Sequence, residues 1–340
     1  MKISSYLKTR WQLQSGVVFL LVILLLLACL ASVFWGVKDI SGHKILTLLL
    51  FHHNEQSLLS SIVDKRIVRM AFGLLCGAAL GVAGVLMQSV TRNPLADPSI
   101  LGINTGASFF VVCGIAFFKI STAGQYVIVA FIGALVAAGL VFGIVALGKR
   151  LDALTLLLAG TGVSMMFSSL VTIVILVKQE AMDQFRFWQV GSLGSASVMG
   201  IKVFVPLFLL SLILAVACAP GLDALMLGSE VAQSLGVNAV LISLTACLAG
   251  IALCATATAL AGPIAFIGLL ATHFTRLIFG SEVKKVLPLS ALVGALFLTS
   301  ADVIGRLVSD TAEISVGIIT ALVGAPVLIF LARRMKVRAL

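Results

Sequence analysis

The chain has 340 residues, of which 61% are apolar and only 11% charged. Mean hydropathy is +1.20 and the formal net charge is +10. A soluble domain is about 45–50% apolar and about 25% charged, so too few polar side chains remain here to coat one, which excludes a soluble enzyme, a disordered chain and a nucleic-acid binder and makes lipid the second solvent.

The apolar runs are continuous. An outer-membrane barrel, whose strands alternate apolar and polar residues, is therefore disfavoured. A spanning helix needs about 20 largely apolar residues. Residues 1–16 are polar and basic, with Lys2, Lys8 and Arg10. The first span is placed at 17–35. A signal peptide starts similarly, but its apolar region is shorter and ends at small residues. Leu26-Leu27-Ala28-Cys29 faintly resembles a lipoprotein cleavage site, yet a retained first helix is expected.

Nine further spans follow at 67–90, 100–118, 125–147, 153–177, 201–219, 240–261, 264–279, 286–308 and 314–332. Gly262-Pro263 marks the turn between the seventh and eighth. Read as one helix these two would reach about 60 Å, twice the hydrocarbon core. The expectation is an all-α, polytopic membrane protein of about ten transmembrane helices, forming a single transmembrane domain over 1–340.

The six cysteines lie inside apolar runs, without metal-ligand spacing, and read as small buried residues. Gly73, Gly77, Gly81 and Gly84 form one small-residue stripe in the second span, read as a packing surface. Gly160, Gly162 and Ser164 could also admit close packing, or thin a pathway wall.

Lys and Arg placement sets the orientation. With both termini inside, the inner segments hold Lys2, Lys8, Arg10, Arg92, Lys149, Arg150, Arg276, Lys284, Lys285, Arg333, Arg334, Lys336 and Arg338, a slim majority of the 23 basic residues. The outer set includes Lys65, Arg66, Arg69 and Arg306. These either snorkel to headgroups or form a basic ring for an acidic external partner.

No G-x-x-x-x-G-K-[ST] phosphate loop is present, so this chain does not itself bind ATP in that way. The buried acid and base chain of a proton-coupled pump is also missing. Asp302 lies four residues before Arg306 and can pair with it on one helix face. His273 reads as a solvated or capping residue near an inner helix end. His52-His53 has no evident third ligand for a metal.

The segment Arg92-Asn93-Pro94-Leu95-Ala96-Asp97-Pro98 cannot continue a helix. Within Gly84–Ala107, which also holds Gln88, Gly102 and Gly106, it closely resembles the permeases of bacterial ABC importers for iron-siderophores, haem and cobalamin. These are the FecCD-type permeases of type II importers. Four further stretches match in order: Arg66-Ile67-Val68-Arg69; Phe187-Trp188-Gln189-Val190-Gly191-Ser192-Leu193; Leu227–Val237; and Gly262-Pro263-Ile264-Ala265-Phe266 onward to His273, Leu287-Pro288, Asp302, Arg306 and Gly324-Ala325-Pro326. The resemblance covers roughly residues 60–335.

It implies the type II importer permease fold, paired with a second permease subunit on two cytoplasmic ATPases that carry ATP and Mg. No cofactor is expected in this chain. A solute-binding protein would dock outside, with Arg66, Arg69 and Arg306 gripping its carboxylates. Residues 222–237 resemble the segment that seats in an ATPase groove, with Asp223, Gly228, Glu230, Ala232, Leu235 and Gly236 as its candidates. A plain amphipathic connector is the alternative. An inner gate is implied at Asp152-Ala153-Leu154-Thr155, where this sequence departs from the small hydroxyl residues of some relatives. The fifth and tenth spans would line the pathway.

The implied function is permeation of a ferric siderophore across the bacterial cytoplasmic membrane by alternating access. Haem and cobalamin are the alternatives within the family. An ion-coupled secondary transporter is a more distant one. An intramembrane enzyme would need a nucleophile with its base or a paired-carboxylate site, and neither is seen.

Overall fold

The computed structural model describes the chain except for residues 1, 37, 39, 52–57, 149–152, 309–312 and 335–340. Among the described residues it is helical throughout, with thirteen α-helices and one 3-10 turn, Pro98–Leu101. In chain order the helices are α1 (Lys2–Phe34), α2 (Gly42–Phe51), α3 (Leu58–Thr91), α4 (Ile103–Phe118), α5 (Ala123–Leu147), α6 (Ala153–Val177), α7 (Glu180–Gln189), α8 (Val198–Met226), α9 (Ser229–Ser234), α10 (Ala239–Ala261), α11 (Ile267–Phe279), α12 (Val283–Leu307) and α13 (Val316–Arg334).

Seven of these are long and apolar enough to cross a membrane, and α4, α11 and α13 are shorter apolar helices. Together they account for the ten expected spans. The three remaining helices fall in connections. α2 and α7 are ten residues each, and α9 is six. α3 is the exception to the expected lengths. It has 34 residues rather than the 24 of 67–90, because its first turns continue through Ser60, Ser61, Asp64, Lys65 and Arg66. At 1.5 Å per residue it is about 50 Å long, well beyond a hydrocarbon core of about 30 Å.

α3 and α12 form the centre and share the most extensive helix pairing. Small residues make that approach possible. A methyl group on Gly81 would collide with the Ser290 carbonyl, one on Gly77 with the Gly294 carbonyl, and one on Gly84 with Gly268 of α11. In turn, a methyl on Gly294 would collide with the Gly77 carbonyl and one on Gly268 with the Leu80 carbonyl. The four-residue glycine spacing thus sets backbone against backbone along α3. The described cysteine thiols are unpaired, and Cys76, Cys218, Cys247 and Cys254 are buried as small core residues.

The eighth span begins at Ile267 rather than 264. Gly262 (φ +75) and Phe266 (φ +70) hold the intervening chain in turns. Because α3 and α12 run antiparallel, the start of α3 and the end of α12 share one end of the bundle. The end of α3 and the start of α12 share the other.

Candidate functional site

At the first end, three arginines converge on one carboxylate and one helix terminus. Asp302 accepts a forked pair of bonds from Arg69, with Nη2 at 2.7 Å and Nε at 3.0 Å from Oδ1. Arg306, one turn further along α12, places Nη2 3.1 Å from Asp302 Oδ2. Arg69 also reaches Glu313, Nη1 to Oε2 at 2.6 Å. The helix-face pairing of Asp302 with Arg306 is therefore present, and Arg69 joins it from α3.

Arg66 and Arg306 perform a second task. The last carbonyls of any helix lack intrahelical donors. At the end of α1, Arg306 Nη1 donates to the carbonyls of Ser32 (3.0 Å) and Trp35 (3.2 Å), and its Nη2 donates to Ser32 Oγ (2.8 Å). Arg66 Nη1 donates to Val33 and Phe34, both at 3.1 Å, and Nη2 donates to Lys38 at 2.6 Å. Two cations thus cap the negative end of the α1 dipole.

The Arg66 and Arg306 forks are thus turned toward the end of α1 in this structure. Arg66 is 6% exposed and Arg306 4% exposed. Arg69 is mostly covered too, and only Glu313 of this cluster stands well into the surroundings. Ser32 and Glu313 were missing from the candidates. Ser32 carried no signal inside its apolar run, whereas Glu313 was readable as an acid in a connection otherwise matched to a basic cluster.

Beside this cluster, the 187–193 motif meets the Gly262-Pro263 motif and the start of α13 through their backbones. The Ser192 N–H donates to the Ala261 carbonyl at 2.7 Å, and the Gly317 N–H to the Gly191 carbonyl at 3.1 Å. Gly191 (φ +74) sits against Pro263, and Gly262 against the Trp188 carbonyl. A cavity of about 830 Å³ opens here, lined by Phe72, Tyr126, Gln184, Trp188, Ser192 and Glu313 among others.

At the opposite end, 222–237 is not one loop. Its first residues complete α8, Gly228 (φ +123) turns the chain, and α9 follows. The Ala232 side chain is buried, while Glu230, Val231 and Leu235 are exposed. Gly236 (φ +75) closes the segment, its N–H donating to Gln233 O and the Val237 N–H to Ala232 O. Asp223 faces inward: its Oδ1 accepts the Val283 N–H at 2.6 Å. Glu230, Leu235 and Gly236 therefore lie on an exposed surface, whereas Asp223 fastens α8 to the start of α12.

The 92–98 connection packs at this end as well. Asn93 Oδ1 accepts from the Leu95 N–H at 3.0 Å, and Asp97 Oδ1 from the Ser99 N–H at 2.9 Å. Burial pushes the Asp97 carboxyl up from its ordinary value, opposed by bonds from Ser99 and the Leu269 N–H. Asn104 Oδ1 accepts from Thr258 Oγ1 at 2.8 Å, tying α4 to α10.

Of the expected gate, Asp152 lies outside the described residues, as does the His52-His53 pair. Ala153 begins α6, Leu154 is exposed and Thr155 is half-buried. One face of α6 is open: Leu158, Thr161, Met165, Ser169, Thr172 and Leu176 are exposed. Its hydroxyls are satisfied within the helix, as in Thr172 Oγ1 to the Ser168 carbonyl at 3.0 Å. α13 likewise exposes Ile318, Leu322 and Val323.

The model of the FecCD transport family matches residues 24–334. The chain belongs to that family. As a FecCD permease it is 40% identical over 316 residues to the ferric enterobactin transport system permease protein FepD of Escherichia coli (strain K12), covering 92% of this chain and 94% of the relative. It is 35% identical to the probable siderophore transport system permease protein YfiZ of Bacillus subtilis (strain 168), with 92% and 94% covered. It is 33% identical to the cobalamin import system permease protein BtuC of Halobacterium salinarum, with 81% and 74% covered. Among solved structures it superposes with a TM-score of 0.79 and 29% identity on an inward-facing metal-chelate type ABC transporter, covering 94% of this chain and 99% of that one. A FecCD permease is the membrane subunit of an ABC importer and carries no ATPase motif. The apolar helices make this one a multi-pass protein of the bacterial inner membrane, and ATPase and binding-protein partners go with the class.

Proposed function

We propose that this permease moves a ferric siderophore, delivered by an external binding protein, through a dimer of permeases driven by two ATPases that carry ATP and Mg. The single observation behind the substrate is the 40% identity, over nearly the full length of both chains, with a ferric enterobactin permease.

The proposed mechanism joins the two ends described above. The binding protein docks on the end formed by the starts of α3 and α13 and the end of α12. Arg66 and Arg306 support this face by fixing the end of α1, and Arg69 with Glu313 lies at its margin. The partner ATPase seats on α9, where Glu230 and Leu235 are exposed and Gly228 and Gly236 set the turns. ATP-driven closure moves α9. The movement passes through Asp223 into α12, which runs about 30 Å toward Asp302. The open faces of α6 and α13 line the pathway between the two permeases, whether the partner is a second copy or a different chain. Both termini of this chain face the cytoplasm.

The test is uptake of radiolabelled ferric siderophores, haem and cobalamin by proteoliposomes holding the assembled complex. ATP-dependent uptake of a ferric siderophore supports the reading. Uptake of cobalamin or haem alone would replace the substrate, and uptake driven by an ion gradient without ATPases would replace the mechanism.

A further inference from the structure

At the end of the bundle that carries α9, a cavity of about 530 Å³ opens between the ends of α3, α8 and α11. Its lining includes Gln88, Arg92, Met226, His273, Arg276 and Leu277, and no carboxylate among the described residues. Gln88 is only 2% exposed, yet neither its amide nitrogen nor its amide oxygen has a hydrogen-bond partner among those residues. Arg276 Nη2 donates to Ser89 Oγ at 3.0 Å, while its Nε is also without a partner. Asp223 is the carboxylate whose charge acts on Arg276, but its Oδ1 is taken by the Val283 N–H.

Buried polar groups are nearly always paired, so three unpaired atoms around one basic cavity call for a ligand. The donors are two guanidinium groups and a primary amide. They suit the oxygens of a phosphate, which arginine grips with more than one N–H. Gln88 Oε1 is left to accept from a hydroxyl or ammonium beside that phosphate. The rim is mixed: Arg92 is exposed, Leu277 is 71% exposed and Met226 37%. Apolar side chains next to the cations give an acyl chain a surface to follow. Basic pockets between transmembrane helices are places where lipid headgroups bind.

We propose that this cavity is a binding site for a phosphate group, supplied by the headgroup of a membrane lipid or by soluble phosphate. It stands apart from the transport reading, since it rests on the cavity and its unpaired atoms alone.

The experiment uses the purified full chain in neutral detergent. Native mass spectrometry reads retention of phosphatidylglycerol against a lipid lacking phosphate, and a second arm titrates inorganic phosphate against thermal unfolding. The wild type should bind phosphatidylglycerol selectively, with affinity about tenfold weaker in Arg92→Gln. Gln88→Leu should unfold no earlier than the wild type without ligand, since it removes unpaired buried atoms, and should lose the ligand-dependent shift. Phosphate binding lost in the same variants, without lipid retention, assigns the site to a soluble phosphate. Equal retention of both lipids, and no phosphate-dependent shift in the wild type, would overturn the proposal. So would selective binding unchanged in both variants.

Discussion

Asp223 accepts the backbone N–H of Val283 across 2.6 Å, joining the end of α8 to the first residue of α12. Glu282, at the N-cap of α12, makes no side-chain cap of its own. A carboxylate from another helix therefore satisfies an orphan donor and complements the positive end of the α12 dipole. Asp223→Ala should cost about 1 kcal/mol of stability, as lost caps do. If this bond relays motion, the variant should also lower the amount transported per ATP hydrolysed. Paired assays of uptake and hydrolysis check this, and an unchanged ratio would remove Asp223 from the coupling route.

The α9 segment makes its own prediction. Glu230→Ala removes an exposed charge and should leave the fold intact. Gly236→Ala forces a side chain into a left-handed conformation that costs about 1–2 kcal/mol. Both should leave hydrolysis by the assembled complex running while uptake falls. Full coupling in both variants would contradict the placement of the ATPase contact on α9.

The arginine cluster separates buried from exposed charge. Asp302 is 3% exposed and pairs with two arginines. Asp302→Asn should destabilise the protein by about 3–5 kcal/mol, because it strands buried positive charge. Glu313→Gln removes the more exposed partner of Arg69 and should cost only about 0.2–1 kcal/mol. Thermal unfolding of the two variants in detergent tests the contrast, and equal losses would contradict the burial argument.

Helix approach supplies a second contrast. Gly81→Ala sets a methyl against the Ser290 carbonyl, an overpacking cost of about 1–3 kcal/mol. Gly139→Ala meets nothing within 4 Å and should stabilise by about 0.5–1 kcal/mol through helix propensity. Unfolding temperatures moving in opposite directions are expected, and a neutral Gly81→Ala would undo the account of α3 against α12.

The proposed orientation is checked by labelling. Cysteine placed at Lys65 should react with an impermeant reagent from outside, and cysteine at Lys285 only from inside. Both positions are exposed, so access is set by the side of the membrane. The reverse pattern would invert the topology.

The sequence made the ten apolar helices readable because lipid imposes one length and one composition on each. It also showed the glycine stripe, since spacing alone defines a helix face, though not that Ser290 and Gly294 would lie against it. α7 was hidden because Glu180–Gln189 is too short and polar to register as a span. The extra turns of α3 were hidden for the same reason. In the site, the pairing of Asp302 with Arg306 was legible as a local four-residue interval. The capping of α1 by Arg66 and Arg306 was not: it links residues more than 25 positions apart, and bonds to backbone carbonyls leave no trace in side-chain identity. That is why two arginines that looked free for an external partner prove to be turned inward.

The most direct measurement is uptake of radiolabelled ferric enterobactin and related ferric siderophores by the complex reconstituted with its ATPases and binding protein. The account predicts accumulation that requires ATP, the binding protein and this permease together. Accumulation that persists without ATP, or a complex that takes up cobalamin or haem and no ferric siderophore, would contradict it.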